Sequence, residues 1–284
     1  MNPYFRLSEV SYQYPDGTWA IKELTVDIPQ NAKIAVLGQN GSGKSTFFQL
    51  LMGLIKPTSG QIEFQNEKLH YTKKALKELR QKIGLVFQDA DNQLFAGTVK
   101  QDIAIGPFNL GWSVEKINEM TEKAIELTQL EELKNKPIHF LSGGQKKRVS
   151  IAGVYAMNPS IFLLDEPTGG LDHYFTTQML EYLRQLENNK RTFLLSTHDI
   201  NLAYEWADLF IVFDKGKIIY FGEAQGLFEK DDLLRQAHLE KPWVFELANH
   251  FIMNGYPFSQ EAFPKTKNDL LNQIKKASQK SLLR

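Results

Sequence analysis

Gly38-Gln39-Asn40-Gly41-Ser42-Gly43-Lys44-Ser45-Thr46 follows the apolar run Ile34-Ala35-Val36-Leu37 and precedes Phe47-Phe48-Gln49-Leu50-Leu51. The run before it reads as a buried strand and the run after it as the first turns of a helix. Such a junction receives a phosphate chain, because N–H groups at a helix start point at the anion and the helix dipole favours it. Glycines at 38, 41 and 43 let the backbone curl closely where a Cβ would obstruct. Lys44 would neutralise the β/γ oxygens, and the Ser45 hydroxyl would ligate Mg²⁺. Gly38 through Thr46 is therefore read as a nucleotide site.

Upstream, residues 6–29 alternate apolar and polar about Pro15-Asp16-Gly17, the pattern of two antiparallel strands. Tyr14, nearest that turn, is preferred over Tyr12 as an aromatic that could stack on a purine; ordinary strand packing explains either residue equally well. Downstream come a strand over 61–65, a charged helix over 73–81, and the buried strand Ile83-Gly84-Leu85-Val86-Phe87, which ends at Gln88. From Thr98 to about Lys136 the period turns helical, with Ile117, Met120, Ala124 and Leu127 expected on one face. This inserted helical lobe, about 90–158, leads into Leu141-Ser142-Gly143-Gly144-Gln145 and a basic amphipathic helix ending near Met157. Ile161-Phe162-Leu163-Leu164 then runs into Asp165-Glu166. A helix over about 173–187, a strand over 192–197 closing with His198-Asp199, and a hairpin at Lys215-Gly216 complete residues 1–225. Beyond, 226–284 reads as a helical tail whose first amphipathic face would be Trp243, Val244, Leu247, Ala248, Phe251 and Ile252.

The 284 residues suffice for one large or two modest domains. Lysine plus arginine equals aspartate plus glutamate, 33 each, so no global charge steers the chain to nucleic acid. Without cysteine, disulfides and thiolate metal sites are excluded. The six histidines are scattered without ligand spacing, so no metal cargo site is legible. No apolar run approaches the roughly 18 residues of a membrane span, and the first residues lack a signal core. The expectation is a cytoplasmic chain that meets a membrane only through a partner.

Strands alternating with helices imply a mostly parallel sheet with ligands at the strands' carboxyl ends, an α/β architecture. Asp165 and Glu166 stand at such an end: Asp165 to hold Mg²⁺, Glu166 to polarise the attacking water. His198, also at a strand end, could donate a hydrogen bond to a γ-phosphate, although a histidine there is commonly structural, and Gln88 could equally cap a loop. Ser142 with the N–H groups of Gly143 and Gly144 would make a second anion site at a helix start. Two phosphate-binding ends in one chain suggest that the second serves another molecule's nucleotide, in a head-to-tail dimer.

The phosphate loop, Gln88, Leu141–Gln145, Ile161–Glu166, Asp172 and His198 together resemble the ATP-binding cassette ATPases over about residues 4–225. The resemblance implies a P-loop fold with an antiparallel β subdomain and an inserted helical subdomain, and ATP with Mg²⁺ as ligands. It implies that Tyr14 stacks on adenine, that Ser45, Gln88 and Asp165 meet Mg²⁺, and that Gln88 reports to a membrane partner. It implies also that Glu166, His198 and Gln88 serve hydrolysis, that Leu141–Gln145 act in trans, and that Asp172 couples the two sites. Gly169-Gly170 and His173 depart from the usual serine or alanine and proline there.

Phe87-Gln88-Asp89-Ala90-Asp91-Asn92-Gln93-Leu94-Phe95, Thr98–Pro107 and Gln145-Lys146-Lys147-Arg148 resemble the cassettes of energy-coupling-factor importers, Ala90 standing for a usual proline. Within that group the stretch is most similar to the cobalt/nickel members, which work as homodimers; others are halves of heterodimeric vitamin motors. The resemblance implies a second ATPase subunit, a transmembrane coupling subunit and a substrate-binding membrane subunit as partners, at the cytoplasmic face of the cell membrane, with the tail as a dimerisation segment. Asp89 and Asp91 could pair with arginines of the membrane subunit or remain solvated. A soluble cassette acting on nucleic acid or ribosomes is the alternative of another class. It lacks support from any second cassette, long coiled-coil insertion or basic stripe in the sequence, and a P-loop kinase would have no use for Leu141–Gln145.

Overall fold

The computed structural model describes residues 3–171, 173–187, 190–255 and 263–281. Strands β3 (Lys33–Leu37), β6 (Ile83–Val86), β7 (Ile161–Asp165), β8 (Thr192–Ser196), β9 (Leu209–Asp214) and β10 (Lys217–Glu223) form one six-stranded sheet in the order β10-β9-β3-β8-β7-β6. All its pairings are parallel except the β9–β10 hairpin. Its inner strands are almost wholly apolar because both faces are covered. Period-two alternation divides them: Ile34 and Val36 face one core, Ala35 and Leu37 the other.

The first core encloses α1 (Lys44–Leu51), whose Phe47, Phe48, Leu50 and Leu51 are buried between the large sheet and a smaller antiparallel one. That second sheet runs β2-β1-β4-β5, from β1 (Phe5–Gln13), β2 (Trp19–Ile28), β4 (Ser59–Phe64) and β5 (Glu67–Lys68). Helix α2 (Lys73–Lys82) leads from β5 into β6.

The helical lobe comprises α3 (Val99–Asn109), α4 (Val114–Leu127) and α5 (Gly143–Ala156) around their own core. Thr98 opens α3 with a capping box to Gln101, and the helical period over 98–136 resolves into α3, α4 and a short 3₁₀ turn, Glu131–Leu133. The face of α4 differs from expectation. Thr121, Ala124 and Ile125 are its buried residues, while Ile117, Met120 and Leu127 are only half-buried. Packing against α3 and α5 turns the helix by about a residue.

The opposite face of the large sheet carries α5, α6 (His173–Glu187) and α7 (Ile200–Trp206), followed in chain order by α8 (Ala224–Phe228), α9 (Asp231–Ala237), α10 (Trp243–Met253) and α11 (Lys267–Ser281). The inner side of the tail is part of the cassette's core. Tyr204 of α7 meets Phe228 and Phe245 edge-on, and Phe245 packs on Phe263 at 4.8 Å between centroids. The Tyr204 hydroxyl donates to the Pro264 carbonyl at 3.0 Å, and burial raises its pKa. This aromatic cluster corrects the sequence reading of α10. Phe245 is buried with Val244 and Ala248, whereas Trp243 and Leu247 are exposed (41% and 44%).

Two substitutions in the first turn of α10 separate these faces. Phe245→Ala should cost about 3–5 kcal/mol in denaturant unfolding, and Trp243→Ala less than about 1 kcal/mol. Equal losses would mean that the tail does not share the cassette's core.

Candidate nucleotide-binding and hydrolysis site

Crowding shapes the phosphate loop. Gly38 has φ +138°, and a Cβ there would fall 2.4 Å from the Phe213 carbonyl oxygen of β9 and 2.8 Å from Ser42 Oγ. Only glycine meets both constraints. The tip of the β9–β10 hairpin braces the loop from outside: Gly216 N–H donates to the Ser42 carbonyl, and its own carbonyl accepts from Lys22 N–H, both at 2.9 Å. Lys44 opens α1 and is buried. Its ammonium donates to the Gly38 and Gln39 carbonyls at 2.6 and 3.1 Å. Burial lowers its pKa, with Glu166 and Asp165 opposing the shift.

A cleft of about 460 Å³ opens over the loop. Tyr14, Asn40, Gly41, Gly43, Lys44, Ser45, Thr46, Gln88, Asp165 and Glu166 line it, together with Trp19, which sequence reasoning missed. Gly38, Gln39 and Ser42 belong to the loop without lining the cleft. Tyr14 is anchored by a hydrogen bond between its hydroxyl and Thr46 Oγ1 at 2.9 Å, and its ring meets Tyr12 edge-on. Tyr14 thus lines the cleft, and Tyr12 does not.

The two carboxylates share the cleft because the chain bends between them. β7 ends at Asp165, and Glu166 has φ +45°. Within a strand their side chains would point to opposite faces. Ser196, at the end of neighbouring β8, holds the bend: its hydroxyl donates to Asp165 Oδ1 at 2.5 Å and accepts from Glu166 N–H at 3.0 Å. The same N–H lies 3.1 Å from the Ser196 carbonyl. A serine in an apolar strand carries no distinguishing sequence signal, and it was missed.

His198 lies beyond the end of β8, not within it. Its Nδ1 is 2.9 Å from Glu166 Oε2, with the histidine side chain 75% exposed and the glutamate 8%. A carboxylate oxygen accepts, so Nδ1 carries the proton and Nε2 of the neutral ring presents a lone pair. Donation to a phosphate then requires the imidazolium or a ring released from Glu166, a condition the sequence reading did not include.

Gln88 sits two residues past β6 and is exposed to the cleft. Asp89 accepts from Asp91 N–H and Asn92 Nδ2, capping the 3₁₀ turn Ala90–Asn92. Asp91 pairs with Lys146 at 2.5 Å. Both carboxylates thus have partners within this chain, and the Asp91 side chain remains 67% exposed. Ser45, Gln88 and Asp165 offer hydroxyl, amide and carboxylate oxygens to one cleft, the hard donor set that suits Mg²⁺. Among the described residues no group of three His, Asp or Glu is placed to hold a metal ion.

The helix at the second predicted anion site begins two residues earlier than expected. Ser142 caps α5 in a reciprocal box with Gln145, so helix begins at Gly143. None of Leu141, Ser142, Gly143, Gly144 and Gln145 lines the cleft. Asp172 lies outside the described residues.

A glycine loop at a helix start, a lysine within it and two carboxylates at the neighbouring strand's exit define a P-loop nucleotide hydrolase. The family model described as ABC transporter matches residues 21–169. An energy-coupling factor transporter ATP-binding protein EcfA of Methanosphaera stadtmanae is 41% identical over 266 residues, covering 91% of this chain and 96% of that relative. A longer relative from Methanosarcina mazei is 41% identical over 94% of this chain, which spans 58% of that protein's length. CbiO1 of Clostridium perfringens, described as part of the ABC transporter complex CbiONQ, superposes with TM-score 0.74 and 38% identity, over 88% of this chain and all of that one. The chain belongs to the ABC transporter family, as an ATP hydrolase of the energy-coupling-factor type.

Removing the Ser196 hydroxyl should free the bend that presents both carboxylates. Ser196→Ala is expected to lower kcat by about tenfold or more while the Kd for ATP shifts less than about threefold. Turnover at the wild-type rate in a steady-state assay would show that the strand end alone aims Asp165 and Glu166.

Proposed function

We propose that this chain is the ATP-hydrolysing subunit of an energy-coupling-factor importer and acts as a dimer beneath a membrane partner. The observation that carries the two-chain reading is the separation of Leu141–Gln145 from the chain's own cleft. A Cβ added at Gly143 meets nothing within 4 Å, and glycine in a helix costs about 1 kcal/mol relative to alanine. Nothing among the described residues requires glycine there. An incoming phosphate, approaching the backbone N–H groups of Gly143 and Gly144 from a partner's cleft, would.

In this reading the loop and Lys44 seat the phosphates, and Tyr14 stacks on the adenine. Glu166 polarises the attacking water, and His198 and Gln88 orient water and γ-phosphate. Asp172 couples the two subunits. Mg²⁺, for which Ser45, Gln88 and Asp165 supply oxygens, neutralises phosphate charge when bound.

An apolar groove of about 330 Å³ between α2–β6 and the helical lobe supports a membrane-subunit helix as second partner. Leu54, Phe87, Leu94, Phe95 and Ile105 are among its lining, and Phe95 is 76% exposed. No helix among the described residues is long and apolar enough to cross a membrane, and in this reading a separate subunit carries the cargo. Cobalt or nickel ion is the cargo favoured by the resemblance of residues 87–95, with half of a heterodimeric vitamin motor as the alternative. The exposed side of the tail, with Trp243, Leu247 and Met253, is the proposed dimerisation face.

Glu166→Gln should bind ATP, hardly turn it over, and sediment as a closed dimer that loosens when Leu247→Glu is added. A monomer with ATP bound would exclude the two-chain reading. Extraction of the tagged chain from its native membranes in mild detergent should recover one cassette species with a single metal-type membrane module. A second cassette with several small substrate-binding subunits would select the vitamin motor instead, and no membrane protein at all the soluble alternative. Phe95→Asp should lose the membrane subunit in that extraction while calorimetry shows ATP affinity retained. Unchanged recovery would move the docking site elsewhere.

A further inference from the structure

Lys147 is only 3% exposed, although it sits in the basic run Lys146-Lys147-Arg148 near the start of α5. Its side chain leaves the helical lobe and ends at the exit of β6. There the ammonium donates to the Phe87 carbonyl at 3.1 Å and the Gln88 carbonyl at 2.5 Å. These carbonyls lie just past the last β6–β7 partners, Val86 and Leu164, where the sheet no longer supplies donors. Both residues are exposed, so water could satisfy their backbones. Holding the loop to α5 is what the lysine adds. Burial pushes its pKa down, and Asp165, Asp89 and Glu166 oppose that shift. The ammonium thus stands within the field of the cleft's carboxylates.

One further tie joins the loop to this helix, and another stiffens the loop itself. Lys146 pairs with Asp91. Gln93 closes the loop on itself, accepting from Phe87 N–H at 3.0 Å and donating to the Leu85 carbonyl at 3.2 Å. The residue whose carbonyl Lys147 grips, Gln88, lines the cleft. The helix that bears Lys147 begins at Ser142–Gln145.

We propose that Lys147 is a positioning residue that couples the start of α5 to Gln88, so that a phosphate engaging Ser142–Gln145 from the partner subunit resets Gln88 in this subunit's own cleft. The proposal rests on the two-chain reading given above. Lys147 touches no reacting atom. It acts through the backbone of Gln88, and its effect is on turnover and on communication between the two sites, not on capture of ATP.

The test is steady-state hydrolysis by the full chain over a range of MgATP, with calorimetric ATP affinity and a thermal melt for each variant. Lys147→Met keeps the length and apolar stem but offers no donor. It should lower kcat on the order of tenfold and bring the Hill coefficient down to about 1, with ATP affinity within about threefold of wild type. Lys147→Arg, which restores N–H donors, should recover part of both. If Lys147→Met does not fold, Lys147→Gln carries the same measurement with one amide donor. A cooperative wild type with an equally cooperative, equally fast donorless variant would overturn the proposal. So would a loss of kcat that merely tracks a loss of ATP affinity or melting temperature, since that is what a packing role would give. A non-cooperative wild type whose Glu166→Gln form stays monomeric with ATP would overturn the two-chain reading itself.

Discussion

Four ionic side chains are buried at one end of the six-stranded sheet: Lys44, Lys147, Asp165 and Glu166. An ion taken out of water without compensation costs several kcal/mol, and the simplest remedy would be to pair lysines with carboxylates. The structure does otherwise. Lys44 is solvated by the Gly38 and Gln39 carbonyls and Lys147 by those of Phe87 and Gln88, while Asp165 leans on the Ser196 hydroxyl and Glu166 on His198. Among the described residues no salt bridge joins either lysine to either carboxylate. The charges are close enough to influence one another, yet each keeps coordination capacity for a ligand. A direct Lys44–Glu166 pair would be cheaper for an isolated fold and would spend the groups proposed to hold phosphate and activate water.

That arrangement depends on backbone placed where local preference opposes it. Glu166 adopts φ +45°, a region costing non-glycine residues on the order of 1–3 kcal/mol. Hydrogen bonds to the Ser196 carbonyl and hydroxyl offset the strain. Gly38 is crowded by β9, and Ser42 is tied to the β9–β10 turn. The nucleotide loop is therefore not a free-standing motif. Its curvature is imposed by a hairpin more than 170 residues downstream, and the carboxylate bend by a serine 30 residues away.

This division explains what the sequence could convey. The loop, the apolar strands and the strand-end carboxylates were legible because each rests on contiguous residues whose period or spacing is itself the physics. Leu141–Gln145 was legible for the same reason, although its capping box was not read from the sequence. Ser196 and Lys147 were not, since a serine in an apolar strand and a lysine in a basic helix start look like any others until the fold brings a carboxylate or two carbonyls to them. The burial of α4 and α10 was misjudged by about one residue. Periodicity gives the width of an apolar stripe, but the partner decides its rotation, and for α10 the partner is the cluster around Tyr204 and Phe228. The pairing of Asp89 and Asp91 also needed the fold, because a capped turn and the approach of Lys146 are invisible in a linear charge pattern.

The same stretch also shows how a chain without a cargo site can serve transport. Phe87 lines the apolar groove, and Gln88 lines the nucleotide cleft. Their Cα atoms are separated by a single trans peptide, about 3.8 Å, and Lys147 grips the carbonyl of that peptide and of the next one. In the proposed reading, a backbone displacement at Gln88 toward a phosphate or an ion would be passed over that short distance to Phe87 in the groove. The reverse holds by linkage, so a helix seated in the groove would bias the set of Gln88 by the same free energy. No charge transfer or long relay is needed between cleft and groove. In the proposed reading, two neighbouring residues facing different sites on one clamped turn would provide the coupling.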